Sequence, residues 1–234
     1  MQQGHLHIMT QAIRDISLIF NKIGFSVATG PELETEFYNF DALNIPAHHP
    51  ARDMQDTFWI KTKPGEEKKV LRTHTSSIQI RYMESIKENP HPFKIIMPGK
   101  VYRNEATDAT HEAQFHQIEG LYVNKEVSMT ELKGTLEYFF KEFLGPEAKI
   151  RFRPSYFAFV EPGVEVDVWW KDRWLEVFGA GLVHPNVMRS AGLNPEEWKG
   201  FAFGGGIDRL VLLRYGIDDI RHLYSGDLRL INQF

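Results

Sequence analysis

The chain has 234 residues, 27 Lys and Arg against 31 Asp and Glu, a formal net charge of -4 and no cysteine. Without cysteine there is no disulfide framework, thiolate zinc site, iron–sulfur cluster or cysteine nucleophile. The slightly acidic balance argues against a surface that holds nucleic acid by charge alone, since counterion release needs clustered Lys and Arg, but it leaves local contacts to RNA open.

Over residues 6–23, Ile8, Ala12, Ile16, Ile19, Phe20 and Ile23 recur at three- and four-residue steps, the spacing of an amphipathic helix, which Gly24 closes. The Ile8, Ile16, Ile23 stripe covers either the chain's own sheet or another subunit. Residues 25–31 read as a short strand stopped by Gly30-Pro31, 37–46 as a loop or broken helix, and 48–53 as a polar loop punctuated by Pro50. Segments 57–61 and 69–73 flank Pro64-Gly65-Glu66-Glu67, which predicts a hairpin with a charged tip. Thr75 opens a helix to about Lys87, ended by Asn89-Pro90. Short strands rich in β-branched and aromatic residues follow at 93–98, 100–104 and 117–123. Ser128-Met129-Thr130-Glu131 is a capping-box start for a helix with Leu132, Leu136, Phe139, Phe140 and Phe143 on one face, stopped by Gly145-Pro146. Val164, Val166, Val168 and Trp170 alternate with Glu165, Asp167 and Trp169, the period of a half-buried strand. Residues 174–178 and 201–203 read as further strands, the second running through Gly204-Gly205-Gly206 into a helix over 207–215.

Strands at hairpin spacing, with helices not strictly alternating between them, predict an antiparallel α+β fold. No repeat, low-complexity tract or linker divides the chain, so one domain over 1–234 is expected. The start lacks a basic segment leading into an apolar one, and no apolar run reaches the roughly 18 residues of a membrane helix. The expectation is a soluble cytoplasmic protein without a membrane segment.

Three constellations offer chemistry. His111-Glu112-Ala113-Gln114-Phe115-His116 misses the H-E-x-x-H zinc pattern by one residue, and an i, i+5 pair does not share a helix face. Gly204-Gly205-Gly206 before a helix allows close backbone approach to an anion, with Arg209 one turn in, or is simply a tight turn; a dinucleotide loop would need a third glycine where Arg209 stands. Around Val101-Tyr102-Arg103-Asn104-Glu105, His111 and Phe115, a guanidinium fork suits phosphate, a carboxylate accepts from an exocyclic amine and a ring stacks on a purine. The same residues read equally as a surface ion pair with a core Phe.

These residues, together with Gly24-Phe25 to Pro31, fall in the order of motifs 1, 2 and 3 of class II aminoacyl-tRNA synthetases. The strings His48-His49-Pro50-Ala51-Arg52-Asp53-Met54, Thr73-His74-Thr75-Ser76 and Gly179-Ala180-Gly181-Leu182-Val183-His184-Pro185 extend the likeness across nearly the whole chain. It resembles the catalytic domain of bacterial-type phenylalanyl-tRNA synthetase alpha subunits. The resemblance implies an antiparallel sheet flanked by helices, ATP and Mg2+ at the site, and phenylalanine, tRNA(Phe) and a beta subunit as partners. It also implies a helical interface at motif 1, through which the chain alone could form a homodimer.

The resemblance implies that Arg103 binds the α-phosphate, Arg209 the γ-phosphate and His111 the phosphate tail. It likewise implies that Phe115 stacks on adenine, Glu105 reads its amino group, and Glu161 and Glu176 stand near magnesium. His74, Ser76, Gln117 and Glu119 match the holders of the amino acid's ammonium and carboxylate. Phe157 and Phe159 match its ring's neighbours, with Ala202 and Gly204 at the pocket floor; read without the resemblance, the two Phe are ordinary core. The chain departs from the pattern at Ala158, where Pro is usual, and at Asp208, where Glu is frequent. An N-terminal coiled-coil arm is expected to be absent. A minimal core that activates phenylalanine but charges tRNA poorly, and a noncatalytic phenylalanine sensor, are the alternatives.

Overall fold

A computed structural model describes residues 4–49, 52 and 57–234. Seven strands form its main sheet in the order β1-β5-β6-β10-β9-β8-β7. They are β1 (Ser26–Val27), β5 (Phe93–Tyr102), β6 (Gln114–Asn124), β7 (Ile150–Phe157), β8 (Val160–Trp170), β9 (Arg173–Val183) and β10 (Lys199–Gly206). Every pairing is antiparallel except β1 on β5. A smaller sheet joins β2 (Leu33–Thr35) and β3 (Trp59–Ile60) to the two sides of β4 (Lys69–Leu71).

Side-chain alternation assigns the two faces of the main sheet. On one face lie α1 (Ile8–Lys22), α4 (Met129–Leu144) and α6 (Ile207–Tyr215), whose apolar stripes are buried. Phe20 stacks between Phe139, at 4.7 Å, and Phe203, at 5.2 Å, and Phe139 continues onto Phe178 at 5.8 Å. Ile8 and Ile16 of α1 are buried in this layer and Ile23 packs against it, so the stripe faces the chain's own sheet; the subunit-facing alternative does not describe these residues. On the opposite face, α3 (Ser77–Ile86) covers Ile95 and Met97 of β5 and Leu121 and Val123 of β6. Gln117 and Glu119 share that face of β6 but lie beyond the covered stretch.

Local chemistry follows the sequence where caps are explicit. Ser128 Oγ accepts from the Glu131 N–H at 3.2 Å while Glu131 accepts from the Ser128 N–H at 2.8 Å, and Gly145 ends α4 with φ at 108°. The hairpin at 57–73 forms as β3 and β4, and β2 extends it. Elsewhere tertiary pairing decides. Segments 93–98 and 100–104 are one strand, β5, because β6 pairs with it continuously through Gly99 opposite Gln117. Strand β7 has no strong apolar period, since Arg151, Arg153 and Pro154 interrupt it; at the sheet edge a proline costs no ladder bond. The short helices α2 (Glu36–Asn39), α5 (Pro185–Ser190) and α7 (Leu228–Ile231) are too short to carry a helical period.

Gly120 of β6 lies under the Phe203 ring, and a Cβ there would overlap it. Gly120→Ala forces the aromatic stack apart in a close-packed interior. It is expected to lower the unfolding free energy by about 3 kcal/mol, read from urea denaturation followed by circular dichroism.

Candidate active site

Strands β5, β6 and β10 are sheet neighbours, so the loop between β5 and β6 and the turn from β10 into α6 open on the same side. Between them lies a cleft of about 460 Å³. One end is lined by Arg103, Glu105, His111, Phe115, Glu176 and Arg209, the other by His74, Ser76, Gln117, Glu119, Phe157, Phe159, Ala202 and Gly204. Residues up to 135 positions apart in sequence, Ser76 and Gly204 among them, thus meet in one cavity; no period of the chain could announce that.

Glu119 is buried at the cleft's inner wall and accepts from the Thr75 N–H at 3.1 Å, Gln79 Nε2 at 3.2 Å and Ser76 Oγ. Burial raises its pKa to about 7, against these three donors, which favour the ionised form. Gln79 is absent from the sequence-derived set, although it stands one helical turn from Ser76 and so shares its face. Gly204 runs beside Glu119, and a Cβ there would overlap Glu119 Cγ. Gln117 Oε1 and His74 Nδ1 are buried without hydrogen-bond partners, which leaves two acceptors beside this carboxylate.

The turn that presents His74 and Ser76 is clamped from behind. Buried Arg72 donates to the carbonyls of Lys100, Gly30 and Pro31 at 2.7, 3.0 and 3.2 Å. Asn39 donates to Thr73 Oγ1 at 3.1 Å and accepts from the Thr73 N–H at 3.2 Å. Its carbonyl lies 2.9 Å from His74 Nε2, which therefore carries the proton. Burial, then the nearby Arg103 cation, pushes the His74 pKa down to about 4, so the ring is neutral and Nδ1 is an acceptor.

At the other end, Arg103 Nε donates to the Thr73 carbonyl at 3.2 Å, and its guanidinium lies 5.2 Å from the Phe115 ring centre. His111 sits on a turn closed by Asp108, which accepts from the N–H groups of Thr110 and His111 at 2.6 and 2.9 Å. Arg209 Nη1 donates to the Glu176 carbonyl at 2.7 Å. The Glu176 carboxyl is raised in pKa by burial and then by Glu165 across the sheet. Beneath Arg209, buried Asp208 accepts from the His116 N–H at 2.7 Å and from the Tyr224 hydroxyl, and burial lifts its pKa to about 6. No local spacing in the sequence announces this link between α6, β6 and the C-terminal segment. Glu161 is not brought to the cleft: its exposed carboxylate lies 3.5 Å from His184 Nε2, in the bulged part of β8. Glu165 and Asp167 of β8, rather than Glu161, are the acidic neighbours of Glu176.

A profile of the tRNA synthetases class II core domain (F) family matches residues 1–234. The chain belongs to this family. Among similar proteins, the phenylalanine–tRNA ligase alpha subunit of Proteus mirabilis is 53% identical over 235 residues, covering all of this chain and 69% of the relative. That of Yersinia enterocolitica is also 53% identical with the same coverage, and that of Pelodictyon phaeoclathratiforme is 52% identical over 99% of this chain and 70% of its own length. The segments that resemble motifs 2 and 3 lie in the β5–β6 hairpin and the β10–α6 turn, and the adjacency of these strands in the sheet builds the cleft.

The folded pKa of Glu119 lies above its ordinary value of 4.5, so the protonated acid is the form the fold favours. That stabilisation is complete below about pH 4.5 and is lost as pH rises through 7. Relative to Glu119→Gln, the parent is expected to lose on the order of 3 kcal/mol between those limits. Urea denaturation of both proteins at pH 5 and pH 7.5 reads this difference, and parallel pH profiles would contradict it.

Proposed function

We propose that the chain activates phenylalanine with ATP and transfers the phenylalanyl group to tRNA(Phe). The observation that carries the reading is the joining, in one cleft, of the Arg103, Glu105, Phe115 and Arg209 set to a pocket with a buried carboxylate and an apolar floor. A nucleotide needs the first and an amino acid with an aromatic side chain needs the second. The alternative of a noncatalytic sensor gives no use to the nucleotide set, and nothing favours a core that activates without charging.

In this reading the phenylalanine ammonium lies at Glu119, Gln117 and His74 Nδ1, and its ring lies against Phe157 and Phe159 with Ala202 at the floor. A carboxylate oxygen of phenylalanine attacks the α-phosphorus, the bond to the bridging oxygen of the β-phosphate breaks, and pyrophosphate leaves. Arg103 stabilises the charge that develops on the α-phosphoryl oxygens, Arg209 holds the γ-phosphate, and Phe115 and Glu105 bind adenine. A fixed cation aimed at developing charge contributes on the order of 3 kcal/mol. No protein nucleophile takes part.

Magnesium, where bound with ATP, would supply positive charge against the phosphates, and such ions are commonly held by one or two protein carboxylates. Glu176, beside Arg209, fits that role. Among the described residues there is no group of three acidic or histidine side chains that would form a site by itself. A tyrosine ring would bring a hydroxyl to the apolar floor without a partner, which disfavours it.

The relatives are alpha subunits, and a beta subunit is accordingly the partner we assign to this chain. Leu18 of α1, 62% exposed, and Val27 of β1 remain on the surface and suit that partner or, in its absence, a second copy. No helix among the described residues is long and apolar enough to cross a membrane, and translation places such an enzyme in the cytoplasm.

Phenylalanine-dependent exchange of labelled pyrophosphate into ATP tests the reading. The parent exchanges, and Arg103→Ala slows exchange by roughly 100-fold; no exchange from folded parent protein would refute the assignment. Ala202→Gly deepens the floor and is expected to admit para-halogenated phenylalanines in the same assay. Discrimination equal to the parent's would remove Ala202 from the pocket's specificity.

A further inference from the structure

The two rings that wall the apolar end of the cleft, Phe157 and Phe159, belong to a tight turn. Strand β7 ends at Phe157, β8 begins at Val160 and these two residues pair, so Ala158 and Phe159 alone join the strands. The sheet holds this turn weakly. Strand β7 lies at the edge, and both strands are irregular beside the turn, between Ser155 and Phe157 and between Val160 and Gly163. A proline at position 158 would fix φ through its ring, whereas the alanine leaves that torsion free. Other segments hold the turn instead. The Phe159 carbonyl accepts from the His184 N–H at 3.0 Å, and the Ala158 carbonyl accepts from Asn44 Nδ2 at 2.6 Å.

Asn44 ends one tight helical turn, Asp41–Leu43, with φ at 60°, a left-handed conformation that Asn tolerates better than most side chains. Its Oδ1 accepts from Asn186 Nδ2 at 3.0 Å, and Asn186 Oδ1 accepts from Arg189 Nη1 at 2.8 Å. A guanidinium only donates and a carbonyl only accepts, so each amide between them has one orientation, and Asn44 Nδ2 faces Ala158.

We infer that Asn44 is a positioning residue for the amino-acid pocket. Directed by Asn186 and Arg189 of α5, it fixes the Ala158 peptide and with it the spacing of the Phe157 and Phe159 rings, whose centres lie 5.8 Å apart. Asn44 itself is not among the residues that line the cleft. The inference rests on the reading of that pocket as the place of the phenylalanine ring. Without the Asn44 bond the turn takes up other directions, and affinity for the amino acid falls with the fraction of molecules whose wall is in place. The nucleotide end, to which none of the three side chains of this relay is bonded, keeps its affinity.

Calorimetric binding of phenylalanine and, separately, of ATP reads the two ends apart. Asn44→Gly keeps the left-handed backbone and removes the amide. Its Kd for phenylalanine is expected to rise about 2- to 10-fold, the worth of one neutral hydrogen bond, with the Kd for ATP within about twofold of the parent's. Asn44→Asp keeps the shape but at neutral pH has no proton to donate to the carbonyl, and weakens phenylalanine at least as much. Asn186→Ala acts in the same direction, and adding it to Asn44→Gly costs nothing more, because the relay is already broken. Parental affinity for phenylalanine in both Asn44 variants overturns the inference. Equal weakening of phenylalanine and ATP also overturns it, by making Asn44 a general support of the fold, and so do additive losses in the double variant. A parent that binds phenylalanine but supports no pyrophosphate exchange refutes the activation reading alone, since the positioning role is still read from binding. A parent that binds no phenylalanine overturns both.

Discussion

A carboxylate taken out of water is costly unless donors surround it, and the cleft is built around one such group. Glu119 lies on β6, in the middle of the main sheet, and is held by donors that all come from the start of α3: the Thr75 N–H, Ser76 Oγ and Gln79 Nε2. The arrangement ties the sheet to the helix at the point where the open face begins. Gly204 on the neighbouring strand leaves the carboxylate room, because any side chain there would overlap it. Further constraints serve the same junction. Arg72 and Asn39 hold the turn that supplies the donors, Arg72 through the carbonyls of Gly30, Pro31 and Lys100 and Asn39 through Thr73 and His74.

The two faces of the sheet divide the work. Beneath it, Phe20, Phe139, Phe178 and Phe203 stack with α1, α4 and α6 into an apolar layer that fixes the strands and has no polar duty. Above it, α3 together with Phe40, Leu43, Val187 and Met188 covers part of the surface, and the cleft lies on another part. Small residues mark the boundary. Gly204 and Ala202 keep β10 low on the open face, while Phe201 and Phe203 on alternate positions fill the face below. A strand thus carries core and substrate floor in adjacent residues, which is the period of two put to two uses.

The charged groups at the ends of the cleft are held as differently as their chemistry requires. Arg103 and Arg209 each have guanidinium contacts to backbone carbonyls, so their direction is set before any phosphate arrives. Glu119 and Asp208 are buried, and desolvation brings their pKa values toward neutrality. His74 is pushed the other way and stays neutral. Asp208 also joins α6 to Tyr224 and the His116 backbone, so the segment after α6 braces the turn that carries Arg209.

Much of this was legible in the residues alone. The helices α1 and α4 are written in three- and four-residue spacing, α4 with an explicit capping box, and these depend on near neighbours only. The site residues were legible through their order in three dispersed motifs, and all of them except Glu161 line one cleft. The sequence could not decide what depends on the sheet order. The joining of 93–98 with 100–104 into β5, the edge position of β7 and the approach of β10 to β6 are long-range pairings with no local signal. For the same reason Gln79, and Asp208 with Tyr224, emerge only in three dimensions. Glu161 shows the converse: proximity to Phe159 in the chain did not bring its carboxylate to the phosphate end, because the bulge in β8 turns it toward His184. Residue chemistry and local spacing are properties of the chain, whereas which side chains face one another is a property of strand register.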